Sequence, residues 1–427
     1  MVDYSKPSGK GYLRKLLALR RKRDGTISVR VAEVLDMVKK GGDGALFSLT
    51  RQFDRFALTP ENIRISLAEI DALAEKVPGA LQKAIREAAK RIKAYHSRQH
   101  TLSFSMTTAD GTLRQIVRPI ERVAVYVPGG HTVYPSSVLM NAIPALIARV
   151  PEIVVVTPPR GGLDPVIAFA LKLCNIKEAY RMGGAQAVAA LAFGTESIRP
   201  VDKIVGPGNA WVQTAKRLVY GTVDIDSIAG PSEVVILADD SAPAGWVALD
   251  LLAQAEHGSG DEISVCVTEN RALAGKIAAA TAAEIDASPV RETLARLPAT
   301  AITIFHAASR SDSIAIVNAL APEHLQIMTR SAEQDLRRVK NAAAVFLGPY
   351  APATLGDYFI GTNHVLPTGG AARFASPLGV ESFTKRMSVA RVSKSGLLKA
   401  APHVSVFARA EKFVHHAMSV EKRIQKK

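Results

Sequence analysis

Cysteine is nearly absent from this chain, which has only two among its 427 residues. Cys174 and Cys266 both lie in apolar segments, so we expect two buried thiols rather than a disulfide. A zinc site of the cysteine-rich kind needs more thiols than the chain has. Any metal would therefore have to be held by nitrogen and oxygen ligands.

Long hydrophobic runs are also missing, and no apolar stretch is long enough to span a bilayer. The amino-terminal segment lacks the apolar core of a signal peptide, so we expect a cytoplasmic protein without a cleaved leader. The chain has no G-x-G-x-x-G and no Walker A sequence, and thus no standard nucleotide-binding motif. An apolar content of 48% and a charged content of 22% are typical of a globular protein.

Acidic residues are outnumbered, with 39 Asp and Glu against 54 Lys and Arg, for a formal net charge of +15. The clearest basic cluster lies at residues 13–25, where leucines at helical spacing predict an amphipathic helix with a basic outer face. A polyanion-binding protein is one alternative that this charge permits. No RNA-binding signature or zinc finger accompanies it, so we expect no nucleic-acid partner.

The chain is too long for one ordinary core. Residues 28–100 read as helices, and from residue 122 short apolar strands alternate with helices. That alternation predicts parallel sheets covered on both faces, and the strands are too many for one sheet. We therefore predict an α/β fold with two Rossmann-like, doubly wound domains. Near residue 380 the pattern turns helical and basic to the end.

Three glycine-rich loops each follow a predicted strand and precede a predicted helix, at residues 125–138, 181–188 and 204–212. Glycine lets backbone approach a ligand closely, and a helix amino terminus offers free N–H groups to an anion. The plain alternative for each loop is a tight strand-to-helix turn. Three such loops in consecutive units would line one edge of one sheet, which favours a ligand site there.

The stretch DLLAQAEHGSG, residues 250–260, ends an apolar helix in Gln254, Glu256 and His257. An ordinary helix end explains it, because His suits the last turn and Gly stops the helix. A metal or substrate site also explains it, because Gln254 and His257 are three residues apart and share a face. The residues alone favour the ordinary helix end.

Three further segments hold polar groups with chemical potential. Glu323 and His324 are adjacent at a strand start and can serve as acid and base. Asp357 lies in a glycine-rich loop, where it could bind a metal or cap a turn. Glu411 and His416 are predicted on a late helix. The alternative for each is structural: an ion pair, a capped turn or a surface histidine.

Taken together, these segments resemble the histidinol dehydrogenase family, in the same order and from about residue 28 onward. The resemblance is carried by YVPGGHTVYPSSVLMNAIPA, GGAQAVAALAFGT, KIVGPGNAWVQTAKR, DSIAGPSEVVILAD, LLAQAEHG, APEHLQI, GDYFIGTNHVLPTGGAARF and a final E-x-x-x-x-H. It implies oxidation of L-histidinol to L-histidine through the aldehyde, the last step of histidine biosynthesis. It also implies two NAD and one zinc ion per site, and an intertwined homodimer with shared active sites.

The resemblance assigns roles to residues. His324 would be the general base and Glu323 would activate water. The zinc ligands would be Gln254, His257, Asp357 and, from the partner subunit, His416. The cofactor contacts would be Tyr126, Gln186 and Asn209. The substrate contacts would be Ser232, Gln254, His257, His324, Asp357, His364, Glu411 and His416.

The resemblance also implies domain boundaries. Residues 25–125 and 233–378 would form the zinc-binding and catalytic domain, and 126–232 the NAD domain. The basic segment 1–24 would precede them, and the tail 379–427 would reach the partner subunit. Two departures from the family pattern are Gly258 after the ligand helix and His415 beside His416. A related dehydrogenase of another small diol, such as sulfopropanediol, is the remaining enzymatic alternative.

Overall fold

A computed structural model of the chain describes residues 1–19, 25–99, 102–129, 133–159, 161–256, 262–298 and 300–425. Its strands are β1 Val2–Asp3, β2 Phe104–Thr108, β3 Gly111–Pro119, β4 Arg122–Tyr126, β5 Glu152–Thr157, β6 Glu178–Arg181, β7 Lys203–Val205, β8 Asp224–Ile225, β9 Glu233–Ala238, β10 Ile263–Thr268, β11 Ile302–His306, β12 His324–Met328, β13 Ala344–Leu347 and β14 Thr384–Val392.

The α-helices are α1 Pro7–Leu19, α2 Gly25–Asp54, α3 Leu67–Ala74, α4 Gly79–His96, α5 Pro135–Ile147, α6 Pro165–Leu173, α7 Gly184–Phe193, α8 Ala210–Val219, α9 Ala244–Ala255, α10 Arg271–Ala287, α11 Arg291–Ala295, α12 Arg310–Leu320, α13 Ala332–Leu336, α14 Ala353–Tyr358, α15 Lys394–Ala410 and α16 Val414–Ile424. No helix of this described part is both long and apolar enough to cross a membrane.

Two wholly parallel sheets organise the fold. One has five strands in the order β6-β5-β4-β7-β8, and the other has six in the order β1-β11-β10-β9-β12-β13. Strands β4, β9, β10 and β12 are buried along their whole length, as expected for sheets with helices on both faces. The α/β fold with two doubly wound sheets is therefore confirmed. Both cysteines are buried free thiols, also as predicted.

The amino-terminal helices pack on the five-stranded sheet. Val31 and Val38 of α2 share a core with Ala124 of β4 on one face. Ile85 and Ile92 of α4 share a core with the opposite face. This packing differs from the expected grouping of residues 25–125 with 233–378. The difference arises because the apolar faces of α2 and α4 cover the five-stranded sheet, which follows these helices in the sequence.

A third, antiparallel sheet was not expected. Residues 384–392 were predicted to be helical, but they form β14 and pair with β3 along nine residues, from Thr384 opposite Pro119 to Val392 opposite Gly111. The helical prediction was wrong here because pairing with a distant strand outweighs the local pattern. The tail then continues as the helical hairpin α15–α16.

The predicted basic helix forms α1, with Leu13 and Leu16 buried against the six-stranded sheet. Arg14 and Lys15 point outward, as an amphipathic helix requires. The remaining basic residues of this cluster, at positions 20–23, lie outside the described residues.

One chain segment connects opposite kinds of edge in the two parallel sheets. The glycine-rich loops follow β4, β6 and β7, at the carboxyl edge of the five-stranded sheet. Strands β9 and β12 begin at the amino edge of the six-stranded sheet, where Glu233 and Glu323 lie. Residues 226–232 run directly from the end of β8 to the start of β9 and so connect the two edges.

Candidate active site

Glu323 and His324 form a buried pair at the start of β12, and each residue is about one-twentieth exposed, at 6% and 5%. Glu323 accepts a hydrogen bond from the backbone N–H of Glu233 at 2.8 Å. The Nδ1 atom of His324 lies 3.2 Å from the carbonyl oxygen of Glu233. A carbonyl only accepts, so Nδ1 carries the proton and Nε2 is left as the basic nitrogen.

The charges around this pair shift both pKa values. Burial raises the pKa of Glu323 to about 7, although the neighbouring His324 opposes the shift. Burial acts to lower the pKa of His324, but the carboxylates of Glu323 and Asp357 outweigh it and raise the value to about 9. Two neighbouring ionisable groups, one with a pKa near neutral pH and one with a pKa above it, are suited to exchanging protons with a substrate.

Asp357 faces the imidazole of His324, with 3.5 Å between its Oδ1 atom and Nε2. It lies in the short helix α14, so the prediction of a glycine-rich loop at this position was wrong. A side chain at Gly356 would come within 2.5 Å of the Phe346 ring, which itself stacks on His324 at 6.2 Å. The absence of a side chain at Gly356 therefore lets α14 close onto the sheet and brings Asp357 to His324.

Gln254 is buried in the last turn of α9, as predicted for the end of an apolar helix. A hydrogen-bonded bridge connects this helix to α14: Gln326 donates to Asp250 at 2.7 Å and accepts from the N–H of Ala353 at 3.2 Å. Burial, followed by the charges of Asp357 and Glu256, raises the pKa of Tyr358, the last residue of α14. His257 and Gly258 lie outside the described residues.

His364 joins the same cluster. Burial lowers its pKa, and the nearby Asp357 and His324 act on it with opposite signs. Within the described chain, its Nε2 atom has no hydrogen-bond partner. Ser232 comes immediately before β9, next to the buried Glu233, whose carboxylate accepts the N–H of Gly369 at 3.2 Å.

Glu233 was missed by the sequence reasoning, although its backbone binds both Glu323 and His324. The sequence does contain a sign of its role, because this acidic residue begins the otherwise apolar strand EVVILA. A buried charge at the start of a strand needs partners, and so points to a polar cluster.

The cofactor residues predicted from the resemblance lie on the carboxyl edge of the five-stranded sheet. The Tyr126 hydroxyl accepts the N–H of Gly184 at 3.1 Å, and burial raises the pKa of Tyr126 to about 12. Gln186, two residues further along, donates to Asp54 at 3.2 Å. Asn209 caps α8 by accepting the N–H groups of residues 211 and 212. Asp54, at the end of α2, was not picked out from the sequence.

Comparison with known proteins identifies the family of this chain. The family model described as histidinol dehydrogenase matches residues 18–424. The histidinol dehydrogenase of Bacillus subtilis is 46% identical over 95% of this chain and 96% of its own length, and that of Heliobacterium mobile is 42% identical over 100% and 99%. The crystal structure of the enzyme from Elizabethkingia anophelis superposes with a TM-score of 0.91 at 34% identity, covering 99% of this chain and 98% of that one.

This chain belongs to the histidinol dehydrogenase family. The match extends along nearly the whole chain in both sequence and fold. The family resemblance inferred from the ordered motifs is therefore confirmed.

The resemblance to histidinol dehydrogenases assigns two residues of the tail to the site, but neither packs against this cluster. Glu411 follows α15 and His416 lies in α16; both are exposed, and the ring of His416 contacts Phe413 at 5.0 Å. Among the described residues, no group of three or more His, Cys, Asp or Glu is arranged to hold a metal ion. A zinc site with the predicted ligands would therefore depend on His257, on the side-chain amide of Gln254 and on the carboxy-terminal tail of a partner subunit.

Proposed function

We propose that this protein oxidises L-histidinol to L-histidine through the aldehyde, as the final step of histidine biosynthesis, with NAD and zinc. The observation that carries this proposal is the buried Glu323–His324 pair facing Asp357. This pair lies at the amino edge of the six-stranded sheet. Residues 226–232 connect that edge to the carboxyl edge of the five-stranded sheet, where the glycine-rich loops lie. Because this reaction belongs to amino-acid biosynthesis, we expect the protein to work in the cytoplasm.

The residues present fit a zinc ion. Gln254 and Asp357 supply an amide and a carboxylate oxygen, and His257 and the partner subunit's His416 would supply imidazoles. Such a mixed nitrogen and oxygen set suits a borderline cation. His364 is half-buried, and its buried Nε2 atom has no hydrogen-bond partner in the described chain, which indicates that the cluster is built to contact a further group. When bound, the zinc would hold the imidazole and amino nitrogens of the substrate in place.

The carboxyl edge of the five-stranded sheet fits a dinucleotide. Helices α5, α7 and α8 begin there, and the positive amino-terminal ends of their dipoles suit the pyrophosphate. Gly206 has a φ of +112°, and a side chain there would come within 2.2 Å of the carbonyl oxygen of Tyr126. Glycine at this position therefore allows the loops that follow β7 and β4 to approach each other closely at the proposed cofactor edge. NAD, when bound, would accept the hydride in each of the two oxidations.

The acid–base residues divide the proton transfers between them. His324, with Nδ1–H held by the Glu233 carbonyl, uses Nε2 to take the alcohol proton as the hydride leaves. Glu323 holds the Glu233 N–H with Oε2, and its other oxygen takes a proton from the water that attacks the aldehyde. After His324 has released the first proton to solvent, its Nε2 takes the hydroxyl proton of the resulting hydrate during the second hydride transfer, which gives the acid.

A divalent cation at Asp357 would also adjust His324. The Asp357 carboxylate is one of the groups that raise the pKa of this imidazole. A bound cation would offset that negative charge and so favour the neutral imidazole, which is the form that a general base needs.

A second copy of the chain completes the proposed site. The hairpin α15–α16 leaves Val406, Phe407, Phe413 and Val414 exposed, and exposed apolar side chains gathered on one segment indicate a partner surface. β2 of the antiparallel sheet adds the exposed Phe104. Glu411 and His416 are on this same hairpin and point to solvent within their own chain. We therefore assign them to the active site of the partner in a homodimer.

Steady-state NAD reduction tests the substrate directly. L-Histidinol should be turned over efficiently, and a sulfonated diol should not, because only histidinol offers an imidazole to the metal cluster. Efficient turnover of the sulfonated diol alone would refute the proposed substrate.

A further inference from the structure

A lysine is completely buried beneath the loop that carries Asn209. Lys216, on α8, has no exposed surface, and its Nζ atom donates to the carbonyl oxygen of Gly206 at 2.8 Å. It also forms an ion pair with the buried Asp226. Burying an ammonium group is costly, so its location is tied to both partners.

Asp226 holds the other side of the same glycine. Its Oδ2 atom accepts the N–H of Gly206 at 2.7 Å, and its Oδ1 atom accepts that of Ser227 at 2.7 Å. The N–H and C=O of Gly206 are therefore fixed by one ion pair. Because Gly206 touches the backbone of Tyr126, the pair sets the distance between two of the cofactor loops.

The segment that begins at Asp226 ends at the acid–base residues. The N–H of Ala229 is held by Gln213 of α8 at 3.0 Å, and that of Gly230 by the hydroxyl of Thr368. Three residues later, the N–H of Glu233 is held by Glu323. The segment 226–232 is thus anchored at one end to the cofactor edge and at the other to Glu323.

We propose that Lys216 and Asp226 are positioning residues for the NAD site. The pair locks the loop 206–209, which carries Asn209, and the start of the segment 226–232. It thereby presents the cofactor edge to Glu323 and His324. This inference rests on the proposed function, in that it names NAD as the ligand of the loop.

The same sheet contains a control. Lys203 of β7 forms an ion pair with Asp224 of β8 at 2.8 Å; the lysine side chain is only 7% exposed, whereas that of Asp224 is 48% exposed. This pair lies at the amino edge of the sheet, opposite the glycine-rich loops. A purely structural role predicts similar consequences for both pairs, whereas a positioning role predicts that only the Lys216–Asp226 pair affects NAD.

The decisive experiment measures NAD binding to the full-length protein by fluorescence of Trp211, two residues after Asn209, in a Trp246→Phe background. Lys216→Met should weaken NAD binding and raise the KM for NAD by about ten- to a hundredfold, the size expected when a reacting group is displaced. Lys203→Met should lower the Tm but leave NAD binding unchanged. Zinc content should stay at the parental level in both.

Equal NAD binding by Lys216→Met and the parent would overturn the inference, as would an equal loss in Lys203→Met. If Lys216→Met fails to fold, Asp226→Asn and Asp224→Asn give the same comparison with shape retained. The Asp226→Asn variant should bind NAD more weakly and the Asp224→Asn variant should not; equal affinities refute the proposal. If the parent binds NAD but does not oxidise histidinol, the proposed substrate fails while the binding comparison still decides the role of Lys216.

Discussion

The Nε2 atom of His324 faces the Oδ1 atom of Asp357 across 3.5 Å, although the two residues come from a strand and a helix that are separate in the chain. The proposed base and a proposed zinc ligand are therefore neighbours with different roles. His324 is oriented by the Glu233 carbonyl rather than by a metal, so the two roles can be separated by mutation.

Replacing His324 with Asn should abolish most turnover while the metal stays bound. The change removes the general base, which contributes about a hundred- to ten-thousandfold in rate, and replaces none of the proposed zinc ligands. Steady-state kinetics and metal analysis of the purified variant check both halves of this prediction. Loss of zinc from the His324→Asn variant would show that the imidazole is a ligand instead.

Replacing Asp357 with Asn should lower zinc content and raise the KM for histidinol together, because the substrate is held through the metal. The matched control is Asp240→Asn, an exposed carboxylate paired with Arg330, which should change neither. Metal analysis and histidinol titrations provide the two readouts. An Asp357→Asn protein with full zinc would contradict the ligand assignment.

Mixed dimers should recover activity from two inactive variants. If the partner's His416 completes the site around His324, a dimer of one His324→Asn subunit and one His416→Asn subunit contains one intact site. Co-expression with two affinity tags isolates that mixed dimer for assay. Activity close to half that of the parent is expected, and a mixed dimer as inactive as its parents would place both residues within one chain.

The amino edge of the five-stranded sheet should depend on Arg122 for stability. Its buried guanidinium donates to Glu178 and Glu152, each at 2.6 Å. Arg122→Met should lower the free energy of unfolding by about 3 kcal/mol, the lower end for breaking a buried pair because both carboxylates are partly exposed. The exposed Arg199, which pairs with the same Glu152, is the control, and Arg199→Met should lower the free energy of unfolding much less than Arg122→Met does.

The same cluster sets a pH dependence. Burial acts to raise the pKa of Glu178, but hydrogen bonds from Arg122 and Tyr180 outweigh it and lower the pKa below the usual 4.5. A lowered folded-state pKa stabilises the protein fully above the unfolded pKa and progressively less as the pH falls through the folded one. Urea unfolding should therefore show the Arg122→Met penalty shrinking below about pH 4. A penalty unchanged by acid would contradict the ion-pair account.

Several features of the site were visible in the sequence because they depend on neighbouring residues. A strand, glycines and a helix in succession predicted the loops beside Tyr126, Gln186 and Asn209. Likewise, an adjacent Glu and His at a strand start predicted the pair at Glu323 and His324. Such signals are local, so one short segment is enough to show them.

The features that were missed depend on residues far apart in the chain. The pairing of Thr384–Val392 with Gly111–Pro119 has no local signature. Neither does the contact between Gly356 and Phe346 that brings Asp357 to His324, nor the approach of Asp54 to Gln186. Likewise, the sheet on which α2 and α4 pack is decided by which apolar faces meet, and not by either helix alone.

One measurement tests the central claim most directly: NADH formed per histidinol consumed, followed to completion with and without a zinc chelator. Oxidation of an alcohol to an acid removes two hydrides, so we expect two NADH per histidinol, loss of activity on chelation and recovery with added zinc. A single NADH per histidinol with the aldehyde as product, or full activity after the zinc has been removed, would contradict the account.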